Sequence, residues 1–441
     1  MAERKKILIV SYYFAPQNVI GAVRATKLAK YLSRMGHEVT VLCGEGLSSL
    51  QDPTLKRDLE QMTDVHTLRE WNPMRSRKQR VQAKQGEETA KAVSAEKAGG
   101  GGMKRRVLNG IYLFLLFCAD MHFAWQGVVA VRRMGKRFDV VLTSYGPWSM
   151  HQIGRKVKKQ GRAARWIADF RDVVEAPLFP SKRWVTTYVA GARKYADQIT
   201  GVSTGYLETM GLGQAGRCIP NGFDREDLQG IEIIPRQGEK QFRFVYCGQM
   251  YGAQRDLRAF FRGMKELAAE GVIGEGDFLL EHAGKPQDGE IFSHQATECG
   301  LEANVRLRGM LPRDEAIRLQ LEADAILIAA WNTPECCGNL PGKLLEVLMM
   351  ERPLVCCTTG TIPESESAKV IRQTETGYCY EEAAGEASFL GLKAYLRGLC
   401  EPFRAGKEAP FAPNRSEIEK YTYAKVAERF AALMQGEGFD G

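Results

Sequence analysis

The stretch Gly338-Asn339-Leu340-Pro341-Gly342-Lys343-Leu344-Leu345-Glu346 carries the strongest chemical signal in the chain. Pro341 suits the first helical position, and Gly342 leaves the free amides of a helix start open to an anion. Lys343 adds a cation beside them. Glu346, three residues on, shares roughly the same helix face, and its carboxylate can accept hydrogen bonds from a ribose or sugar diol. Amides and a lysine for a diphosphate, with a carboxylate for a diol, describe a grip on a nucleotide sugar. The competing reading is a capped helix with a surface Lys–Glu pair. Against it, Leu344, Leu345, Val347, Leu348, Met349 and Met350 leave little solvent-facing helix. A buried Glu346 is costly unless it is used.

Two other turns repeat the theme. Val245–Cys247 leads into Gly248-Gln249-Met250-Tyr251-Gly252, with Arg255 near the start of a helix expected over Asp256–Ala269. The first strand leads through Pro16 to Gly21-Ala22-Val23-Arg24, which opens a helix. A dinucleotide fingerprint G-x-G-x-x-G is absent there. Each turn brings backbone amides and a cation to the place where parallel sheets bind ligands. A purely structural Gly turn and a solvated arginine are the alternatives. The fourth stretch, Ala168-Asp169-Phe170-Arg171-Asp172, follows a buried strand. Asp172 could orient an acceptor hydroxyl, with Arg171 near a phosphate; an Asp–Arg ion pair supporting the loop is the competing reading.

The elements that must position these residues alternate short apolar runs with helical periodicity, as in α/β units with parallel sheets. Strands are expected at Ile7–Ser11, Val39–Cys43, Val140–Ser144, Arg165–Asp169 and Gln198–Val202, with helices at Val23–Met35, Met150–Gln160 and Trp184–Ala196. The turn cluster Ile219-Pro220-Asn221-Gly222 interrupts the rhythm. After it, strands at Phe242–Cys247, Phe278–Ala283, Val305–Arg308, Ala325–Ile328 and Leu354–Cys357 alternate with helices at Pro341–Met350 and Ser388–Cys400. A last helix, Ser416–Met434, follows Pro413-Asn414. The expected fold is α/β, with two Rossmann-like doubly wound domains facing each other across a cleft. Residues 1–220 form the first domain, 221–415 the second, and 416–441 a crossover helix returning to the first.

Composition sits in the ordinary globular range, with 44% hydrophobic and 26% charged residues, and divides the chain by charge. Residues 1–220 hold 36 Lys and Arg against 18 Asp and Glu, a net +18; residues 221–441 hold 25 against 35, a net −10. The segment Pro73–Arg106 alone carries +7. It includes the four glycines Gly99–Gly102 and reads as a flexible basic loop. It runs into the apolar Ile111–Ala119, and the combination suits an anionic membrane surface. A solvated loop beside a core helix is the alternative. No apolar run reaches the roughly 18–20 residues of a spanning helix, and the N-terminal apolar stretch reads as a buried strand rather than a signal peptide. The 11 cysteines form no C-x-x-C pair and the six histidines are scattered. Neither a disulfide framework nor a metal site is expected, and the compartment reads as cytoplasmic.

These stretches together resemble the retaining glycosyltransferases of family 4, which have the two-Rossmann GT-B fold. The matching segments are ILIVSYYFAPQNVIGAVRATKLAKYLSRMGHEVTVL, WIADFRDV, ADQITGVS, IPNGFD, FVYCGQMYGAQRDLRAF, VRLRGMLPRDE and GNLPGKLLEVLMMERPLV, spread over residues 7–355. The resemblance implies that Arg255 and Lys343 hold the donor diphosphate. Glu346 would hold the ribose hydroxyls, as the second glutamate of the family's Glu–seven residues–Glu motif. Gly21, Gly248, Tyr251, Gly252, Leu340, Pro341 and Gly342 would contact the donor, with Arg308-Gly309-Met310 beside the nucleobase. Arg24, Tyr145, Asp169 and Arg171 would serve the acceptor, and Asp172 the reacting hydroxyl. Two positions depart from the family pattern. Its first glutamate falls at Gly338, with Glu335 close by, and the acceptor-side histidine falls near Tyr145.

The implied activity is metal-independent transfer of a hexose-type sugar from a nucleoside diphosphate, UDP ahead of GDP, to a lipid-linked or nascent surface glycan. No cofactor and no nucleic acid are expected. The location implied is cytoplasmic, peripheral on the anionic inner membrane face. Two alternatives stand beside it: a non-catalytic sugar-nucleotide-binding or scaffold protein of a polysaccharide assembly complex, and a sugar-nucleotide epimerase.

Overall fold

The computed structural model describes residues 3–45, 51–69, 103–175, 182–233, 241–334 and 336–436. The basic segment at residues 73–102, with its four glycines, and Glu335 lie outside the described residues. The chain divides into two compact units. Unit 1 comprises Met1–Gly201, Met210–Cys218 and the chain from Ala427 onward; unit 2 comprises Val202–Thr209 and Ile219–Val426.

Unit 1 contains β1 (Lys6–Ser11), α1 (Ile20–Arg34), β2 (Glu38–Gly44), α2 (Pro53–Leu59), β3 (Val65–Leu68), α3 (Met103–Arg133), β4 (Phe138–Ser144), α4 (Ser149–Lys159), β5 (Ala163–Phe170), α5 (Lys182–Tyr195) and β6 (Gln198–Gly201). The short α6 (Thr204–Thr209) is counted with unit 2, and β7 (Gly216–Cys218) closes the sheet of unit 1. Its order is β3-β2-β1-β4-β5-β6-β7, and every pairing is parallel. Parallel strands are covered on both faces, so their sequences are continuous apolar runs such as Ile7–Val10 and Val140–Leu142, all buried.

In unit 2 the elements are β8 (Phe242–Cys247), α7 (Arg258–Ala269), β9 (Phe278–Ala283), α8 (Pro286–Thr297), β10 (Val305–Gly309), α9 (Arg313–Leu321), β11 (Ala325–Trp331) and α10 (Gly342–Val347). They continue with β12 (Leu354–Thr359), α11 (Glu366–Thr374), β13 (Gly377–Glu381), α12 (Gly385–Arg404) and α13 (Arg415–Glu419). The last helix, α14 (Tyr423–Gln435), begins in unit 2 and passes into unit 1 at Ala427. The sheet order β10-β9-β8-β11-β12-β13 is again parallel throughout. The period of two along a strand sorts side chains between two cores. Phe242, Phe244 and Tyr246 of β8 join Leu327 and Ala329 of β11 on one face, while Val245 and Cys247 join Ile326 and Ile328 on the other.

Four expectations change. The helix expected over Asp256–Ala269 starts at Arg258, which leaves Arg255 in the preceding loop. The helix expected over Ser416–Met434 is interrupted between α13 and α14. There the Phe223 N–H donates to Tyr421 O (3.0 Å) and the Tyr423 N–H to Phe223 O (2.8 Å), a bridge that draws the backbone out of the helical ladder. Residues 103–106, expected in the basic loop, form the first turn of α3. That helix does not stop with Ile111–Ala119 but runs on past Asp120, His122 and Gln126. Leu113–Arg133 is therefore long and apolar enough, by length and composition, to cross a membrane, contrary to the expectation from apolar runs alone. In unit 1 it behaves as a core helix on one side: Ala119, Phe123, Ala124, Val128 and Val131 are buried.

Candidate functional site

Both sheets reverse their strand order beside the first strand of the unit, between β1 and β4 and between β8 and β11. In such sheets the loops leaving the two adjacent strands diverge, and ligands bind in the crevice at their carboxyl ends. Gly248–Arg255 leaves β8 at that point in unit 2, and residues 332–341 connect β11 to α10.

The β8 loop is shaped by glycine and held from below. Gly248 has φ +156°, and the consecutive residues Tyr251, Gly252 and Ala253 all have positive φ. Met250 N–H donates to Asp288 Oδ1 at 2.6 Å. His282 Nε2 lies 3.2 Å from Gly248 O, and burial lowers the pKa of this imidazole. The tight turn points Arg255 back over the end of the sheet. Its Nη1 donates to Gln249 O (3.0 Å) and to the Tyr246 hydroxyl (3.2 Å). Its guanidinium lies 4.6 Å from the Tyr251 ring centroid and 5.8 Å from that of Trp331, at the end of β11. Arg255 Nε is buried with no partner, and among the described residues no carboxylate pairs with this cation. A half-buried, unneutralised arginine at a switch point is equipped to receive an anion.

On the neighbouring loop, Pro341 is the N-cap of α10 and Gly342 its first residue, one position later than the expected start at Pro341, and the α-helix ends at Val347 rather than Met350. Lys343 Nζ lies 2.6 Å from Glu346 Oε2. Glu346 Oε1 also accepts from Arg313 Nη2 at 2.8 Å, and that guanidinium reaches Asp227 Oδ2 at 3.1 Å. The surface Lys–Glu pair and the buried, used carboxylate are thus both present: Glu346 is buried and sits between two cations. Arg313 and Asp227 were not legible as site residues, because they are 33 and 119 positions from Glu346.

The loop between them is set by Asn332, also missed. It is buried, receives Gly338 N–H on Oδ1 (3.0 Å) and donates from Nδ2 to Ile362 O (2.9 Å). Gly338, at the position of the family's first glutamate, has φ +72°, and a Cβ there would meet Gly205 Cα at 2.5 Å. No side chain fits without moving that backbone. Gly309 O accepts from Gly284 N–H at 2.9 Å, and Met310 beyond it is exposed. Arg308 is tied to the fully buried Glu281 (Nε–Oε1 2.6 Å), which Arg243 also holds at 2.6 Å.

The unit 1 residues separate into two groups. Gly21, at the start of α1, lies under the Arg171 guanidinium, where a Cβ would collide with Nη1. Arg171 Nε donates to Tyr145 O at 2.6 Å, its guanidinium lies over the Tyr13 ring, and burial lowers its pKa. Tyr145 is buried rather than open to an acceptor, with burial pushing its hydroxyl up to about 12. Asp172 is exposed beside them. Arg24 and Asp169 are corrected. They form a bidentate pair at 2.9 and 2.8 Å, with side chains 2% and 1% exposed, and Thr200 donates to the same carboxylate at 2.7 Å. Mutually neutralised inside unit 1, neither can serve a substrate; the ion-pair reading of that strand end holds, with Arg24 rather than Arg171 as partner.

His151 of α4 adds a pH signature to unit 1. Burial lowers its pKa to about 3, against a smaller upward pull from Asp169. Because the folded value lies below the unfolded 6.5, the unfolded chain binds the extra proton. Stability is therefore complete above about pH 6.5 and declines as pH falls. The decline from this residue between pH 6.5 and 4.5 should be roughly 2–3 kcal/mol. Urea unfolding followed by tryptophan emission should show it, and His151→Gln should flatten it. Equal slopes in the two proteins would refute the assignment.

Residues 241–390, which contain Arg255, Lys343 and Glu346, match the model of the family described as Glycosyl transferases group 1. No curated protein matches the chain. Among solved structures it is similar to the trehalose-6-phosphate phosphatase N-terminal domain of Candida albicans, at 12% identity and TM-score 0.62 over 100% of this chain and 98% of that chain. It is similar to a glycosyltransferase of Rickettsia africae, at 13% identity and TM-score 0.57 over 98% of each chain. It is also similar to the catalytic domain of Arabidopsis thaliana starch synthase IV, solved with ADP and acarbose, at 12% identity and TM-score 0.56 over 98% of this chain and 99% of that chain. The fold is accordingly that of two parallel-sheet α/β domains, shared with GT-B glycosyltransferases.

Proposed function

We propose that the protein is a retaining glycosyltransferase that moves a hexose-type sugar from a nucleoside diphosphate, UDP ahead of GDP, to a hydroxyl of a lipid-linked or nascent surface glycan. The observation that carries this reading is the switch point of unit 2, where Arg255, with no carboxylate partner among the described residues, lies in the loop after β8 and the Lys343–Glu346 pair in the first turns of α10, which follows the adjacent strand β11. The family match over the same residues supports it. Arg255, Lys343 and the amides at Gly342 hold the diphosphate, and Glu346 accepts from the ribose diol. The C1–O bond to the diphosphate breaks as the acceptor oxygen bonds to C1 on the same face. The acceptor proton passes to a diphosphate oxygen. Stabilising the departing charge with preorganised cations and amides is the main catalytic device.

A radiolabelled-donor assay tests this against its rivals, since transfer, an epimerised donor and binding without turnover give different products. The second reading, a binding protein without transfer, draws on Gly338, which supplies no carboxylate. Because protein cations do the work of a metal, activity should survive EDTA within twofold. Abolition by chelator and recovery with Mg²⁺ or Mn²⁺ would overturn that part of the mechanism. The location proposed is cytoplasmic and peripheral. The basic residues 73–106 and the exposed apolar residues of α3 would meet the anionic inner leaflet.

A further inference from the structure

A cavity of about 340 Å³ lies among α3, α4 and α5 of unit 1, and none of the candidate site residues lines it. Ligand pockets span roughly 300–1,000 Å³, so it has room for a slender chain or a single ring. Its wall is aromatic. Trp184 stacks on Tyr188 with centroids 5.0 Å apart, and Phe117 of α3 stacks on Trp148 at 5.3 Å. Trp166 and His151 complete the lining.

Several polar atoms of this wall are donors without a partner. Trp166 Nε1 donates to Thr143 Oγ1 (2.9 Å), whose own hydrogen can pass to His151 Nδ1 (2.8 Å). Burial keeps the imidazole neutral, so its hydrogen is then on Nε2. That atom, Trp148 Nε1 and Arg155 Nε are all buried without a partner, and all belong to residues lining the cavity. The orphaned donors Trp148 Nε1 and Arg155 Nε, joined by His151 Nε2 in the tautomer in which Thr143 donates to Nδ1, call for a ligand that brings acceptor oxygens.

Charge points the same way. Arg155, Lys159 and Lys194 surround the Tyr195 ring at 5.8, 4.2 and 5.4 Å, and Lys156 lines the cavity beside Arg155. Among the described residues none of these four cations has a carboxylate partner. On α3, the exposed Ile111, Phe114, Met121 and Trp125 form one stripe at helical spacing, and Met121 also lines the cavity. An apolar face continuous with an aromatic, cationic cavity suits the boundary of a bilayer.

We propose that this cavity binds one phosphate-bearing membrane lipid, with an acyl chain between the aromatic rings and the phosphate oxygens against His151 Nε2, Arg155 and Lys156. A neutral lipid would leave the cations unmatched. The inference deepens the membrane part of the proposed function and is independent of sugar transfer.

Three tryptophans in the wall supply the readout. Phosphatidylglycerol with short, brominated acyl chains, dispersed below its micelle concentration, should quench tryptophan fluorescence of the full chain saturably. Gly191 of α5 lines the cavity, and a Cβ there meets no atom within 4 Å. Gly191→Phe therefore puts a ring into the cavity from a position with room for its Cβ and should raise the half-saturating lipid concentration at least tenfold. Arg155→Gln with Lys156→Gln, a change at two half-buried positions that adds no bulk and decides the matter should the first variant misfold, should do likewise. Phosphatidylcholine with the same brominated chains should bind at least tenfold more weakly. The proposal is overturned if quenching of the wild type does not saturate, if the folded variants match it, or if the neutral lipid binds equally. Thermal stabilisation by UDP-sugar should be unchanged in Gly191→Phe, which separates failure here from failure of the transferase reading.

Discussion

Lys343→Ala and Glu346→Ala are each expected to fold normally and to lose about 30- to 1000-fold in transfer rate, or roughly 2–4 kcal/mol of transition-state stabilisation. The arrangement around Glu346 explains why folding should survive. Without Lys343, the carboxylate keeps Arg313 at 2.8 Å. Without Glu346, Arg313 keeps Asp227 at 3.1 Å, and Lys343, whose side chain is 30% exposed, turns to water. Neither change strands a buried charge, which is the usual route from a polar substitution to unfolding. The activity loss has the opposite logic: the diphosphate develops charge as it leaves, and only groups already in place help it. Initial rates at saturating donor, beside matched circular dichroism spectra, decide the question. Near-wild-type rates in both variants would remove α10 from the active site.

The largest stability effect should come from Arg24 and Asp169. Each side chain is at most 2% exposed, and the bidentate pair is reinforced by Thr200. Asp169→Ala leaves the buried guanidinium without the carboxylate it pairs with, while its cation–π contact to Phe430 at 5.4 Å remains. Breaking a buried pair by removing one partner costs about 3–5 kcal/mol, a large fraction of the stability of one unit. The double change Arg24→Met with Asp169→Leu removes both charges and should recover most of that loss. Urea denaturation measures all three. A single variant within 1 kcal/mol of wild type, or a double variant no better than the single, would show that the pair is not what holds β5 against α1.

Much of the architecture was legible because parallel strands buried on both faces must be apolar throughout. Phe242–Cys247 and Phe278–Ala283 were placed to the residue. Elements without such runs escaped. Pro286–Thr297 reads PQDGEIFSHQAT, with little periodicity, and is a helix because Phe292 and Ala296 pack into the core. The strands Val65–Leu68 and Gly216–Cys218 are short edges whose pairing comes from a neighbour.

By itself the sequence determined the repeating strand–helix plan, the glycine turns at strand ends, and the cations Arg255 and Lys343 beside two of them. These follow from local rules: side-chain periodicity, backbone freedom and helix-start chemistry act within a few residues. Only the tertiary structure decided which charges meet. Arg24 and Asp169 are 145 positions apart, and Arg313 reaches both Asp227 and Glu346. The order in which strands join a sheet selects such partners. That order is settled by burial of whole faces, and no single stretch of sequence expresses it.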